Sequence, residues 1–99
     1  MKSENIEPID IQIQHCIRFI KSCCAVTKNI NRKRSSYGLK HDTERWAGTY
    51  ISNEAFKAAA SQLGLMTASA GTINQYYNIK ALKRKRNKFV NNKILQKWD

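Results

Sequence analysis

No apolar run in this 99-residue chain approaches the roughly 20 residues that a bilayer-spanning helix needs, so a membrane protein is not expected. The opening residues, Met1-Lys2-Ser3-Glu4-Asn5, lack the basic-then-apolar layout of a secretory leader, and a cytoplasmic location is expected. Histidine is scarce: His15 and His41 are the only two. There is no glycine-rich phosphate loop, no Gly-x-Ser-x-Gly elbow and no His-Glu-x-x-His pair. His41 lies beside Asp42, but adjacent helical residues do not face each other. No enzyme, catalytic residue or cofactor is therefore expected.

Cysteine is also sparse. Cys16, Cys23 and Cys24 are odd in number, which does not suit a secreted disulfide framework. They lie in an apolar stretch, where buried free thiols are the plain reading. A zinc site from His15, Cys16, Cys23 and Cys24 is the alternative, but it lacks paired Cys-x-x-Cys spacing, and no metal is expected.

Acidic residues number 7 against 18 Lys and Arg, for a net charge of +11. The excess falls in two blocks, residues 16–40 and 79–99, around a nearly neutral middle. Abundant Lys, Asn and Ile fit an AT-rich coding sequence, so the clustering carries more weight than the count. Clustered cations raise the local potential and attract polyanions.

Hydrophobic residues make up 41%, enough for one folded domain with a modest core. Residues 1–7 are polar and expected to fray. Pro8 suits a first helical turn, and Ile9, Ile13, Cys16, Ile17, Ile20, Cys23 and Cys24 recur at helical spacing, predicting a helix over 8–27. Ile9–Ile13 also alternates, as a strand would. Residues 28–35 read as a polar basic connector. Ser35 or Ser36 can cap a second helix with Leu39, Thr43 and Trp46 on its buried stripe, ended by Gly48. Ser52 is the expected cap of a third helix, with Ile51 and Phe56 as a hydrophobic staple and Gly64-Leu65 as a Schellman closure. The run Ala58-Ala59-Ala60 would let another helix or a partner chain approach closely. Residues 66–72 read as a loop and 72–79 as a short strand or hairpin. A fourth helix is expected from about residue 80, with Leu82, Phe89, Val90, Ile94 and Trp98 at helical spacing. The expected fold is mainly α: about four helices, helix-turn-helix-like in one reading, with one strand or hairpin.

Lys83-Arg84-Lys85-Arg86, flanked by Lys80 and Lys88, is the sharpest local feature. On a helix these residues surround the axis, so they form either a solvated face or a set of phosphate contacts. A nuclear address is a weaker reading of the same run. Arg32-Lys33-Arg34 is the second cluster, placed just before a helix start that could itself contact phosphate. Tyr37 follows, set to lie over a sugar or base, or simply to pack there. If the third helix entered a major groove, Asn53, Lys57, Ser61 and Gln62 would be its readers. Glu54 opposes that, and a plain helical hairpin fits as well. Trp46 and Trp98 lie on apolar stripes and are expected in the core. Tyr76, alternating away from Tyr77, is the candidate for base stacking.

The residues Ser36-Tyr37-Gly38-Leu39-Lys40-His41, then Glu44, Trp46, Gly48, Tyr50-Ile51-Ser52-Asn53, Phe56, Ala59-Ala60 and Gly64, form an ordered pattern. In it the chain resembles small uncharacterised proteins of bacterial integrative elements, plasmids and phages. The likeness covers residues 36–64 and implies a mobile-element accessory protein with no assigned catalytic residues. Gly38, inside a predicted helix, is expected to be local to this chain.

Three functions remain open on this sequence. One is a nucleic-acid-binding accessory or regulatory protein, acting on DNA or RNA. The second is an anti-CRISPR-type inhibitor of a host defence nucleoprotein complex. The third is a basic adaptor for an acidic protein. A homodimer is expected from the small-residue surface and the long apolar first helix.

Overall fold

A computed structural model describes residues 6–71 and 73–82. The elements run α1 (Ile9–Cys23), β1 (Cys24–Ser35), α2 (Ser36–Ala47), α3 (Asn53–Gln62), β2 (Thr67–Ser69) and β3 (Gln75–Ala81). The strands form one antiparallel sheet in the order β1-β3-β2. Of the described residues 49% are helical and 29% lie in strands, so the fold is mixed α/β rather than mainly α, and the expectation of about four helices with one short strand or hairpin is corrected. α2 and α3 do follow one another across residues 48–52, but within this mixed fold and not in the helical domain expected to be helix-turn-helix-like. Among the described residues no helix is long and apolar enough to cross a membrane.

The largest departure from the sequence reading is β1. The helix expected over 8–27 stops at Cys23, and the supposed connector 28–35 is strand. Cys24 turns into extended backbone while its N–H still bonds the Ile20 carbonyl, so α1 feeds the sheet without a loop. β1 is an edge strand, and charged residues on an edge discourage pairing with other chains. That explains why its sequence reads polar. Its pairing is irregular: Val26 stands opposite Ile79, Asn31 opposite Tyr77 and Ser35 opposite Tyr76. β1 therefore bulges outward twice, at 27–30 and at 32–34. Asn31 secures the first return, donating from Nδ2 to the Ile79 carbonyl at 3.0 Å and accepting the Lys33 N–H on Oδ1 at 3.0 Å.

The short strand or hairpin expected at 72–79 is the hairpin β2–β3, which starts earlier and takes Thr67–Ser69 out of the supposed loop 66–72. Lys80 and Ala81 belong to β3, so no helix begins at residue 80. The rest of the fourth helix expected there lies outside the described residues.

The core lies between the helices and one face of the sheet. Tyr77 and Ile79 point into it from β3, and the Tyr77 ring meets Phe56 at 6.1 Å between centroids. α1 contributes Cys16, Phe19, Ile20 and Cys23. α3 contributes Ala55, Phe56, Ala59 and Ala60, all fully buried. Ala59 and Ala60 thus serve close packing within the fold, and α1 packs on α3. Two details of α1 differ from its expected stripe: Ile9 is half exposed, whereas Gln12 is buried. Gln12 accepts the Ser52 N–H at 2.8 Å and donates to the Glu7 carbonyl at 2.7 Å, pinning the start of α1 to the start of α3. Glu7, expected to fray, is held in this way.

α3 is built as its sequence reads. The Ser52 hydroxyl accepts the Ala55 N–H at 3.1 Å, and Ile51 and Phe56 are both fully buried. At its end Leu65 N–H bonds Ala60 O and Gly64 N–H bonds Ser61 O, the Schellman pair. Gly64 takes φ of 73° there, a left-handed value that costs other residues steric strain.

Candidate nucleic-acid interface

The two bulges of β1 and the end of β3 border an open cleft of about 460 Å³. Lys28, Lys33, Arg34 and Lys80 line it, together with Thr27, Asn29, Asn31, Leu39 and Ala81. Lys80 stands opposite Ala25 on β1, next to the first bulge. The bulges are what bring Lys28 and Lys33 to the same depression, because in a regular strand residues an odd number of positions apart point to opposite faces.

Among the described residues the carboxylates leave the lysines of this cleft unpaired, and only Arg34 of its cations is engaged. Asp42 pairs with Arg34 and Arg45, Glu44 with Lys40, and Glu54 with Lys57. Glu7 lies against His15. Among the described residues no carboxylate pairs with Lys28, Arg32, Lys33 or Lys80, and all four are exposed. Arg32 lies with its guanidinium 5.6 Å from the centre of the Tyr76 ring, a cation–π distance. Tyr76 is half-buried on β3, opposite Ser35.

Arg34 is different from its neighbours. Its Nε and Nη2 donate to the two Asp42 oxygens at 2.8 and 2.7 Å, and Nη2 also reaches the Gly38 carbonyl at 3.2 Å. The Asp42 bond holds Arg34 further into its charged range. Its stem lies across α2 where residue 38 has no side chain: a Cβ on Gly38 would sit 3.0 Å from Arg34 Cγ and Cζ. Gly38 is therefore the notch that lets Arg34 lie down, which accounts for a glycine inside this helix. Glycine there costs about 1 kcal/mol relative to alanine in helix propensity. We expect Gly38→Ala to recover less than that, because the Arg34 side chain must give by a few tenths of an ångström against its hold on Asp42. Thermal unfolding checks this, and the full gain would mean that Arg34 moves at no cost.

Two of the residues expected to read bases on α3, Asn53 and Lys57, are occupied otherwise. Asn53 Nδ2 donates to Asn74 Oδ1 at 3.1 Å. Lys57 Nζ donates to the Ile73 carbonyl at 2.7 Å. Both tie α3 to the β2–β3 hairpin rather than presenting a free face. Gln62 is exposed at the far end of α3. Lys83, Arg84, Lys85, Arg86 and Lys88 lie outside the described residues. The cleft thus gathers Lys33, Arg34 and Lys80 from the sequence candidates, with Arg32 and Tyr76 alongside. Lys28, Asn29 and Asn31 are not among those candidates. The Lys28-Asn29-Ile30-Asn31 stretch does carry a signal, since asparagine favours irregular backbone.

A second cluster occupies the turn between α2 and α3. Lys40 is nearly buried, with Nζ 3.1 Å from Glu44 Oε2 and 5.8 and 5.0 Å from the ring centres of Tyr37 and Tyr50. Glu44 Oε2 also accepts the Ile51 N–H at 3.0 Å, and Oε1 lies 2.8 Å from His41 Nδ1. This places Tyr37, Lys40, His41, Glu44, Tyr50 and Ile51 of the ordered sequence pattern around one carboxylate, where they hold the turn.

The cysteines do not form a metal site: among the described residues no three His, Cys, Asp or Glu side chains are placed to share an ion. Cys16 is fully buried and its thiol is pushed up to about 12 by that burial. Comparison with protein-family models, with curated proteins and with solved structures finds no match to this chain.

Proposed function

We propose that this protein binds nucleic acid through the β1–β3 cleft, as an accessory or regulatory protein of a mobile genetic element. One observation carries the reading: Lys28, Lys33 and Lys80 converge on one concavity beside Arg32, and none of the four is paired with a carboxylate among the described residues. Edge protection of β1 accounts for scattered charge, but not for its collection around a cleft together with a cation from β3. Phosphates are the polyanionic groups that such a spacing of exposed amines and a guanidinium neutralises, with release of counterions.

The test is the full-length variant Lys28→Gln/Arg32→Gln/Lys33→Gln/Lys80→Gln. Exposed charges contribute little to stability, so the fold should persist. Affinity for nucleic acid should fall roughly tenfold or more, and the salt dependence should flatten by about one unit of slope for each phosphate that is no longer neutralised. An unchanged affinity and slope in the folded variant would overturn the proposal and favour an acidic protein partner. The companion variant Lys83→Gln/Arg84→Gln/Lys85→Gln/Arg86→Gln measures the share carried by the second basic cluster.

A further inference from the structure

We infer that the cleft accepts one nucleotide of a single strand, making the protein's preferred ligand single-stranded rather than duplex nucleic acid. The inference rests on the nucleic-acid reading above and goes beyond it in naming the form of the ligand.

A duplex keeps its bases stacked inside and is too wide to enter a depression of this size, so only its phosphates could reach the rim. Here the cations rim a depression of about 460 Å³, within the roughly 300–1,000 Å³ range of clefts that enclose small ligands. The floor is apolar: buried Leu39 closes it and exposed Ala81 forms one wall. A phosphate alone gains nothing from such a floor, whereas a base does. The Asn29 amide on the rim can hydrogen-bond a base edge while Lys28, Lys33 and Lys80 hold the adjoining phosphates.

Two further features lie beside the cleft. Exposed Val26 and Leu82 flank its β1 and β3 walls in sequence, offering apolar surface that bases cover and a duplex backbone does not. On β1, Arg32 sits between the lining residues Asn31 and Lys33 and spreads over Tyr76. A tyrosine with an arginine over it is a platform for the next base, since unpaired bases stack on aromatic and guanidinium planes regardless of sequence. Cleft and platform adjoin on β1, so neighbouring nucleotides of one strand can occupy both.

The experiment compares binding of the full chain to an oligothymidylate of about 15 nucleotides, an oligouridylate of the same length and a duplex of the same length. Fluorescence anisotropy at near-physiological salt is the readout. The variant Ala81→Phe fills the cleft without removing charge, and an aromatic residue suits a strand position. The inference expects one or both single strands to bind about tenfold tighter than the duplex, and Ala81→Phe to remove that preference by bringing single-strand affinity down to the duplex level. The two single-strand arms separate DNA from RNA. Equal binding of single strand and duplex, or a preference that survives a filled cleft, overturns the inference and leaves the nucleic-acid reading standing. No binding to any of the three overturns both.

Discussion

Replacing Phe56 by alanine should lower the unfolding free energy by about 3–5 kcal/mol, the usual cost of removing a buried aromatic ring. Phe56 is fully buried, lies beside Tyr77 of the sheet and sits on the helix whose start Ile51 staples. It therefore joins the helical layer to the strand that carries Lys80. A domain of this size has a total stability of roughly 5–15 kcal/mol, so the variant should be only marginally folded. Its midpoint temperature should drop by about 12 °C or more. Val26 is the control: it is an apolar residue of β1 with 68% of its surface exposed, and Val26→Ala should change stability by about 0.5 kcal/mol or less. Urea denaturation of the two variants separates them. Comparable losses would mean that Phe56 does not hold the helices to the sheet.

The contrast between α3 and β1 shows which parts of this fold are legible in sequence. α3 is specified by local chemistry: Ser52 caps it, Ile51 and Phe56 staple it, and Gly64 with Leu65 closes it. Each signal lies within a few residues of the structure it makes, so the helix reads correctly at both ends. β1 is specified by a partner some 50 residues away in β3, against which Cys24–Val26, Asn31 and Ser35 are paired. Its two bulges break the alternation that marks a half-buried strand, and its exposed edge carries the charges that make it resemble a linker. β2 spans only Thr67–Ser69, too short to show any periodicity.

The same division applies to the candidate site. That residues 32–34 and Lys80 are cationic is evident from sequence, but their convergence with Lys28 is a consequence of bulge geometry. Nor does sequence spacing show that Arg34 is engaged by Asp42, eight positions on, through the notch at Gly38. The tying of Asn53 and Lys57 to the loop at Ile73 and Asn74 is equally non-local. A groove-entering α3 would need these side chains free, whereas tertiary packing gives them to the hairpin.

Glu44→Gln should cost about 2–4 kcal/mol at neutral pH, because it leaves the nearly buried Lys40 ammonium without its carboxylate. The amide oxygen of glutamine keeps one acceptor and the rings of Tyr37 and Tyr50 still face the cation, so the loss falls toward the low side of what a broken buried pair costs. The dependence on pH is the sharper test. Burial pushes the Glu44 carboxyl up, but the Ile51 N–H, the Lys40 and His41 hydrogen bonds and the Lys40 charge outweigh it and hold the group below its ordinary value of 4.5. A carboxyl depressed on folding contributes stability that is fully present above its unfolded value and is lost as pH falls through its folded value. The gap between the native chain and Glu44→Gln should therefore be constant above about pH 5 and close progressively below about pH 4.5. Lys40→Met placed in the Glu44→Gln background should recover most of the loss, since it removes the stranded charge and keeps the bulk. Urea denaturation of the four chains, from pH 7 to about pH 3, measures both effects. A gap that does not narrow in acid, or a Lys40→Met effect that simply adds to that of Glu44→Gln, would show that this carboxylate is not the anchor of the turn between α2 and α3.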